Sequence, residues 1–385
     1  MSESPNGGTP AKTIVFAGGG SGGHLFPGIA VAQILAASGR PVKCVFIGSS
    51  RNVERQIVRD HGFEHVALPV EPSSTLLTRP IRFANRLWQS AQAASDYLPS
   101  CGASVVIGLG GFASVPVVWA ARLAGIPLIL LEQNVVPGRA TSWLCRRANL
   151  TCLGFADAAR RLPKSAAFAV TGNPVRGPIA ALAAEAADGD MRRSVAVLGG
   201  SQGSLALNEA FLGCVERMPE HFSSWQIVHQ TGTRDLPHVR RRYEACGIRA
   251  EVSAFFDDPV ALYRRAGLVV SRAGALTLSE LACAGVPAVL IPYPKAIRNH
   301  QRLNAYAFEH VGAARVVRQS SDPERTRAHL EDELAALLSN SELRGRMARA
   351  MRSLARPDAA SVVADEVCKF LFGLEPVAKD SVRRS

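Results

Sequence analysis

Thr13-Ile-Val-Phe-Ala-Gly-Gly-Gly-Ser-Gly-Gly-His24 reads as an apolar strand, a glycine turn and a helix reaching about residue 37. Val195-Ala-Val-Leu-Gly-Gly-Ser-Gln-Gly203 repeats that order ahead of a helix over 205–215. A strand that turns through glycines into a helix exposes backbone N–H groups beside the positive end of the helix dipole, a cradle for phosphate oxygens. Two more strands end the same way, 105–107 in Gly108-Leu-Gly-Gly111 and 268–270 in Ser271-Arg-Ala-Gly274. Ala124-Gly-Ile-Pro-Leu-Ile-Leu130 is then echoed by Ala284-Gly-Val-Pro-Ala-Val-Leu290, a helix end with a glycine stop, a proline and a buried strand. One architecture therefore occurs twice. The alternation predicts an α/β protein of two Rossmann-like, doubly wound parallel sheets that face a central cleft, with ligands beyond the carboxyl ends of the strands. The expected domains are 1–172 and 173–360, parted at Gly172-Asn-Pro-Val-Arg176, with a last helix over 361–375 packing back on the first.

Composition narrows the function. The 385 residues suit two domains, and 44 Lys and Arg against 32 Asp and Glu favour anionic partners such as nucleotides, pyrophosphates or acidic headgroups. Only 6% of residues are aromatic and basic runs are as short as Arg240-Arg-Arg242, which speaks against nucleic acid. The 8 cysteines stand singly, without CxxC pairs or zinc-spaced histidines, so a reduced, metal-free protein is expected. Residues 1–11 lack the apolar core of a signal peptide and read as a loose tail. The stretch 103–131 carries Arg122 as its one charge and is long enough to span a bilayer. Its breakers Gly108, Gly110, Gly111, Pro116 and Pro127 instead predict a strand over 104–107, a glycine turn, a helix over about 115–124 and a strand over 128–131.

Gly18, Gly20 and Gly23 satisfy GxGxxG, so a dinucleotide site must be weighed. That site needs an acidic residue after the second strand, whereas 42–47 is followed by Gly48-Ser-Ser-Arg51. Nor would it explain a second glycine loop carrying Ser201 and Gln202.

Gly18-Gly-Gly-Ser-Gly-Gly-His-Leu-Phe-Pro27, Gly108-Leu-Gly-Gly-Phe112, Glu132-Gln-Asn134, Gly172-Asn-Pro-Val-Arg176, Gly199-Gly-Ser-Gln-Gly203, Ser271-Arg-Ala-Gly-Ala-Leu-Thr-Leu-Ser-Glu280 and Asn299-His-Gln301 together resemble the MurG family of N-acetylglucosaminyltransferases. The resemblance covers nearly the whole chain. It implies a GT-B fold and an inverting transfer of N-acetylglucosamine from UDP-N-acetylglucosamine to the C4 hydroxyl of undecaprenyl-pyrophosphoryl-MurNAc-pentapeptide (lipid I), giving lipid II for peptidoglycan. No cofactor is implied, and no metal on DxD carboxylates.

In the second domain the resemblance places Ser201 on a phosphate, with Arg176 adding charge. Ala275, Leu276, Thr277, Leu278 and Ser279 form a helix start aimed at the pyrophosphate, Glu280 accepts from both ribose hydroxyls, and the Phe256 backbone meets uracil. Asn134 and Gln301 hold sugar hydroxyls, each offering donor and acceptor. Ser21, Gly22 and Gly23 line the cleft from the first domain. His24 is the candidate general base for the acceptor hydroxyl, or else a hydrogen-bond donor to the acceptor pyrophosphate; both roles stay open. The departing UDP is stabilised by Arg176 and the helix at Ala275. Many family members have His before Glu-Gln-Asn where this chain has Leu131, so no role is carried over there. Ser21 stands where Thr is common, which keeps the hydroxyl.

A lipid acceptor puts the enzyme at the cytoplasmic face of the inner membrane, as a peripheral protein. Leu76-Leu77, Arg79, Ile81-Arg-Phe83 and Arg86-Leu-Trp88 mix bulky apolar groups with cations, as docking on an anionic membrane surface requires. An amphipathic helix packed inward would show the same pattern. Rival readings are a UDP-N-acetylglucosamine epimerase, which needs further carboxylates and no lipid, another lipid-directed GT-B glycosyltransferase, and a non-catalytic nucleotide-binding module, which His24 beside the anion loop disfavours.

Overall fold

The computed structural model describes residues 11–19, 22–71, 75–185, 192–200 and 203–373, and for 76 and 77 the backbone alone. The chain divides into two compact units, one of residues up to Pro174 together with those from Asp358, the other Val175–Pro357.

The first unit is built on β1 (Lys12–Gly18), β2 (Val42–Ser49), β3 (Glu64–Leu68), β4 (Ala103–Gly110), β5 (Leu128–Glu132), β6 (Leu150–Leu153) and β7 (Phe168–Val170). These seven strands pair in parallel in the order β3-β2-β1-β4-β5-β6-β7. Ile14, Val15, Phe16 and Ala17 are all buried, because helices cover both faces of the sheet. Helices Gly22–Ala37 and Ala359–Phe372 cover one face. Ala360, Val363, Ala364, Val367, Cys368 and Leu371 make an i, i+3, i+4 stripe on the latter, all within the core around Phe16 and Ile29. Helices Pro80–Ser100 and Ser114–Leu123 supply Ala94, Leu98, Val117 and Ala121 to the other face.

The strand order reverses between β1 and β4, and there Gly18 lies in register with Gly110. The expected turn at Gly108 is corrected: β4 runs on through Leu109 to Gly110. A Cβ on Gly108 would lie 2.7 Å from Leu130 Cδ2, so this glycine admits a side chain of β5 rather than turning the chain.

The second unit holds β8 (Ser194–Leu198), β9 (Gln226–Gln230), β10 (Ala250–Ser253), β11 (Leu268–Ser271), β12 (Ala288–Leu290) and β13 (Ala314–Val316). All pair in parallel, in the order β10-β9-β8-β11-β12-β13. Leu207, Phe211 and Val215 of helix Leu205–Arg217 pack with Leu330, Leu334 and Leu337 of helix Pro323–Ser339 on one face. Here the order reverses between β8 and β11, and the turns after those two strands are neighbours. Among the described residues no helix is long and apolar enough to cross a membrane.

Candidate functional site

In the second unit the turn after β8 closes on β9. Gly203 has φ +74°, and a Cβ there would collide with the Thr231 carbonyl, so only glycine fits. Ser201 lies outside the described residues. The next turn, after β11, delivers helix Ala275–Ala284 with Gly274 before its first residue. Leu276 and Thr277 of its first turn are half-buried, Ala275 and Leu278 are buried, and the Ser279 hydroxyl donates back to the Ala275 carbonyl at 3.0 Å. The Leu278 side chain is therefore core, and the helix offers its first backbone amides rather than a row of side chains.

Glu280 is 5% exposed. Its Oε1 accepts from Arg176 Nη2 at 2.8 Å and its Oε2 from the Tyr263 hydroxyl at 3.0 Å. A buried carboxylate is costly without a cation and hydrogen-bond donors, and these two side chains meet that cost. Burial, with Glu280 adjacent, pushes the Tyr263 phenol well above its ordinary value and keeps it a donor. Arg176, expected to add charge at a phosphate, sets its guanidinium Nη2 on Glu280.

The cation at the glycine loop is Arg272. Its Nε and Nη2 donate to Ser204 Oγ at 3.0 and 2.7 Å, and its Nη1 to the Ile291 carbonyl at 2.8 Å. Burial lowers its pKa to about 10, which leaves it charged at neutral pH. These partners are neutral, so a half-buried positive charge stands at the start of helix Leu205–Arg217 with capacity to stabilise an anion.

Two more expected residues each join a backbone N–H to a side-chain oxygen. The Phe256 N–H donates to Gln230 Oε1 at 3.3 Å. Gln301 Oε1 accepts from the Tyr293 N–H at 2.9 Å. Gln301 opens helix His300–His310 just after Arg298 and Asn299, which take φ 53° and 54°, a left-handed pair that such residues rarely adopt.

In the first unit, Gly22, Gly23 and His24 form the first turn of helix Gly22–Ala37; Ser21 lies outside the described residues. His24 is half-buried, and its Cδ2 comes 3.1 Å from where a Cβ on Gly110 would stand, so the two expected turns meet at its ring. Behind the loop lies Glu54, 2% exposed, whose oxygens accept from the Ser49 N–H and hydroxyl at 2.9 and 2.7 Å. Asn134 donates its N–H and Nδ2 to Glu132 Oε1 at 3.0 and 3.3 Å, while Glu132 Oε2 takes the Gly138 N–H at 2.8 Å, which folds the loop after β5. Leu131 is buried in the sheet core. Among the described residues no three His, Cys, Asp or Glu side chains gather as a metal site.

Sequence reading missed Tyr263, Arg272, Gln230 and Glu54 as participants. Arg272 alone carried a signal, a charged residue directly after an apolar strand.

The stretch over 76–88 splits. Ile81 and Trp88 are 78% and 67% exposed, and Arg79, Arg82 and Arg86 line an open hollow of about 700 Å³ beside Ile81. Phe83, grouped with them from sequence, is corrected to a buried position: it packs against Phe112, ring centroids 4.8 Å apart, because its place on the helix faces the turn after β4. The side chains of Leu76 and Leu77 lie outside the described residues.

Residues 14–152 match the glycosyltransferase family 28 N-terminal domain and 194–363 its C-terminal domain. The chain is 36% identical over 377 residues to the UDP-N-acetylglucosamine--N-acetylmuramyl-(pentapeptide) pyrophosphoryl-undecaprenol N-acetylglucosamine transferase of Desulfotalea psychrophila, covering 94% of this chain and 98% of that one. Among solved structures it is similar to Acinetobacter baumannii MurG, with TM-score 0.74 and 28% identity over 93% of this chain and 99% of that one. A putative UDP-N-acetylglucosamine 2-epimerase from Listeria monocytogenes matches with TM-score 0.66 at 14% identity, over 95% of this chain and 98% of that one, a likeness of fold alone.

Proposed function

The chain belongs to the MurG family of UDP-N-acetylglucosamine-dependent transferases, which carry lipid I to lipid II, and from that premise we propose that the second unit holds the donor and the first the acceptor. The observation that carries this reading is the gathering, at the β8/β11 reversal, of the glycine loop, Arg272 and the start of helix Ala275–Ala284, with Glu280 further along that helix.

The diphosphate is seated on the loop amides and the first amides of that helix, with Arg272 adding charge. Glu280 keeps lone pairs beyond those used by Arg176 and Tyr263, since a carboxylate has about four acceptor sites, and these take the ribose hydroxyls. Arg176 acts through Glu280 by holding its carboxylate oriented. The Phe256 backbone meets uracil, and Asn134 and Gln301 hold sugar hydroxyls. The acceptor C4 hydroxyl attacks the anomeric carbon opposite the UDP, so the new bond forms with inversion as the bond to the β-phosphate oxygen breaks. His24 receives the hydroxyl proton; the departing charge falls where the amides and Arg272 stabilise it.

The enzyme works as a peripheral protein on the cytoplasmic side of the inner membrane, with Ile81 and Trp88 at the lipid boundary and Arg79, Arg82 and Arg86 on anionic headgroups. The test is labelled UDP-N-acetylglucosamine with and without the muramyl lipid. Label is expected in the lipid only when acceptor is present. Conversion of the sugar nucleotide without lipid would instead indicate an epimerase.

A further inference from the structure

Gln230, the last residue of β9, is buried and makes three bonds to two loops. Its carbonyl accepts from the Gly199 N–H at 3.3 Å, its Nε2 donates to the Gly200 carbonyl at 3.2 Å, and its Oε1 accepts from the Phe256 N–H at 3.3 Å. The amide has one orientation that serves both side-chain bonds, since a carbonyl needs a donor and an N–H an acceptor. Gly199 and Gly200 belong to the loop assigned to the diphosphate, and Phe256 to the loop assigned to uracil.

The strand end that carries this residue is itself fixed. One position earlier, His229 is fully buried, with Nδ1 2.9 Å from the Tyr243 hydroxyl and Nε2 3.1 Å from Asn208 Oδ1. Asn208 Nδ2 in turn donates to the Thr231 carbonyl and to Asp235 Oδ2, both at 3.1 Å. Thr231 thus cannot move without breaking bonds to helix Leu205–Arg217, and Gln230 is held between two anchored neighbours.

Resting on the reading that this unit holds the UDP-sugar, we infer that Gln230 is a positioning residue that ties the uracil loop to the diphosphate loop. Both ends of the nucleotide then meet a site set before they arrive, and less ordering is left to be done on binding.

The test compares uridine with UDP as ligands, by calorimetry, for the full-length wild type, Gln230→Ala and Gln230→Glu. In Gln230→Ala both loops lose a bond: uridine weakens about three- to tenfold, and UDP, which meets both loops, weakens by a larger factor. Gln230→Glu keeps an acceptor for the Phe256 N–H but loses the donor to Gly200, so uridine stays near wild type while UDP weakens. In transfer assays donor KM rises in both variants, with kcat at saturation within about twofold of wild type. Equal weakening of uridine and UDP in the two variants would overturn the inference and make Gln230 a packing residue. If Gln230→Ala does not fold, the uridine and UDP factors of Gln230→Glu decide alone. UDP without affinity for the wild type would remove the donor reading first, a failure seen before any variant is made.

Discussion

The glycine turns after β1 and β8 occupy the same point of the same topology, yet different side chains stand behind them. Behind the first lies the Glu54 carboxylate, placed so that a Cβ on Gly19 would collide with it. Beside the second, the Arg272 guanidinium grips Ser204, and the nearby carboxylate, Glu280, is already offset by Arg176. Side chains brought from elsewhere distinguish them: the Arg272 guanidinium stands beside one turn, and the Glu54 carboxylate and the His24 imidazole stand beside the other. Under the proposed mechanism the same fold serves a leaving group in one copy and a proton acceptor in the other.

That contrast can be broken most severely at His24. His24→Ala should lower kcat about 10²- to 10⁴-fold with donor affinity unchanged, measured with saturating lipid acceptor; a rate near wild type would remove proton transfer from the first turn. Glu280→Ala should raise donor KM about ten- to a hundredfold with a smaller change in kcat. Donor affinity equal to wild type would take the ribose away from the second unit.

A third measurement sharpens the contrast through stability. Burial lowers the His229 pKa from 6.5 to about 3, so as pH falls below 6.5 the unfolded chain gains a proton that the folded chain refuses. Stability should therefore drop by up to about 1.4 kcal/mol per pH unit across that window from this group. Urea unfolding at pH 7.5 and 5.5 should show the drop in wild type and a smaller one in His229→Gln; equal drops would mean that His229 is not held neutral. The smallest effect is expected at Trp88, where Trp88→Ser should weaken binding to anionic vesicles about three- to tenfold while transfer to a soluble acceptor stays intact.

Much of this was legible in the residues. Apolar runs ending in glycine marked β1, β8 and their helices, because a strand buried on both faces has no room for polar residues. Gly108 misled, since a glycine admitting Leu130 reads no differently from one that turns the chain. The pairing of Glu280 with Arg176 and Tyr263, and the bridge from Gln230 to Gly200 and Phe256, join segments far apart in sequence, where no spacing rule reaches. Phe83 shows the same limit on one helix: its composition matched Trp88, and only the neighbouring Phe112 fixed which of them turned inward.

The helix Ala359–Phe372 has a consequence for biosynthesis. It completes the core of the unit that begins the chain, while Val175–Pro357 is wholly contained between that unit's two segments. During vectorial synthesis the middle unit has all its strands once residue 357 has emerged, whereas the sheet of β1 to β7, made before it, waits for Ala359–Phe372 to cover Phe16 and Ile29. A stalled ribosome or a C-terminal truncation therefore leaves the older half, not the younger, with an open apolar face for chaperones to hold.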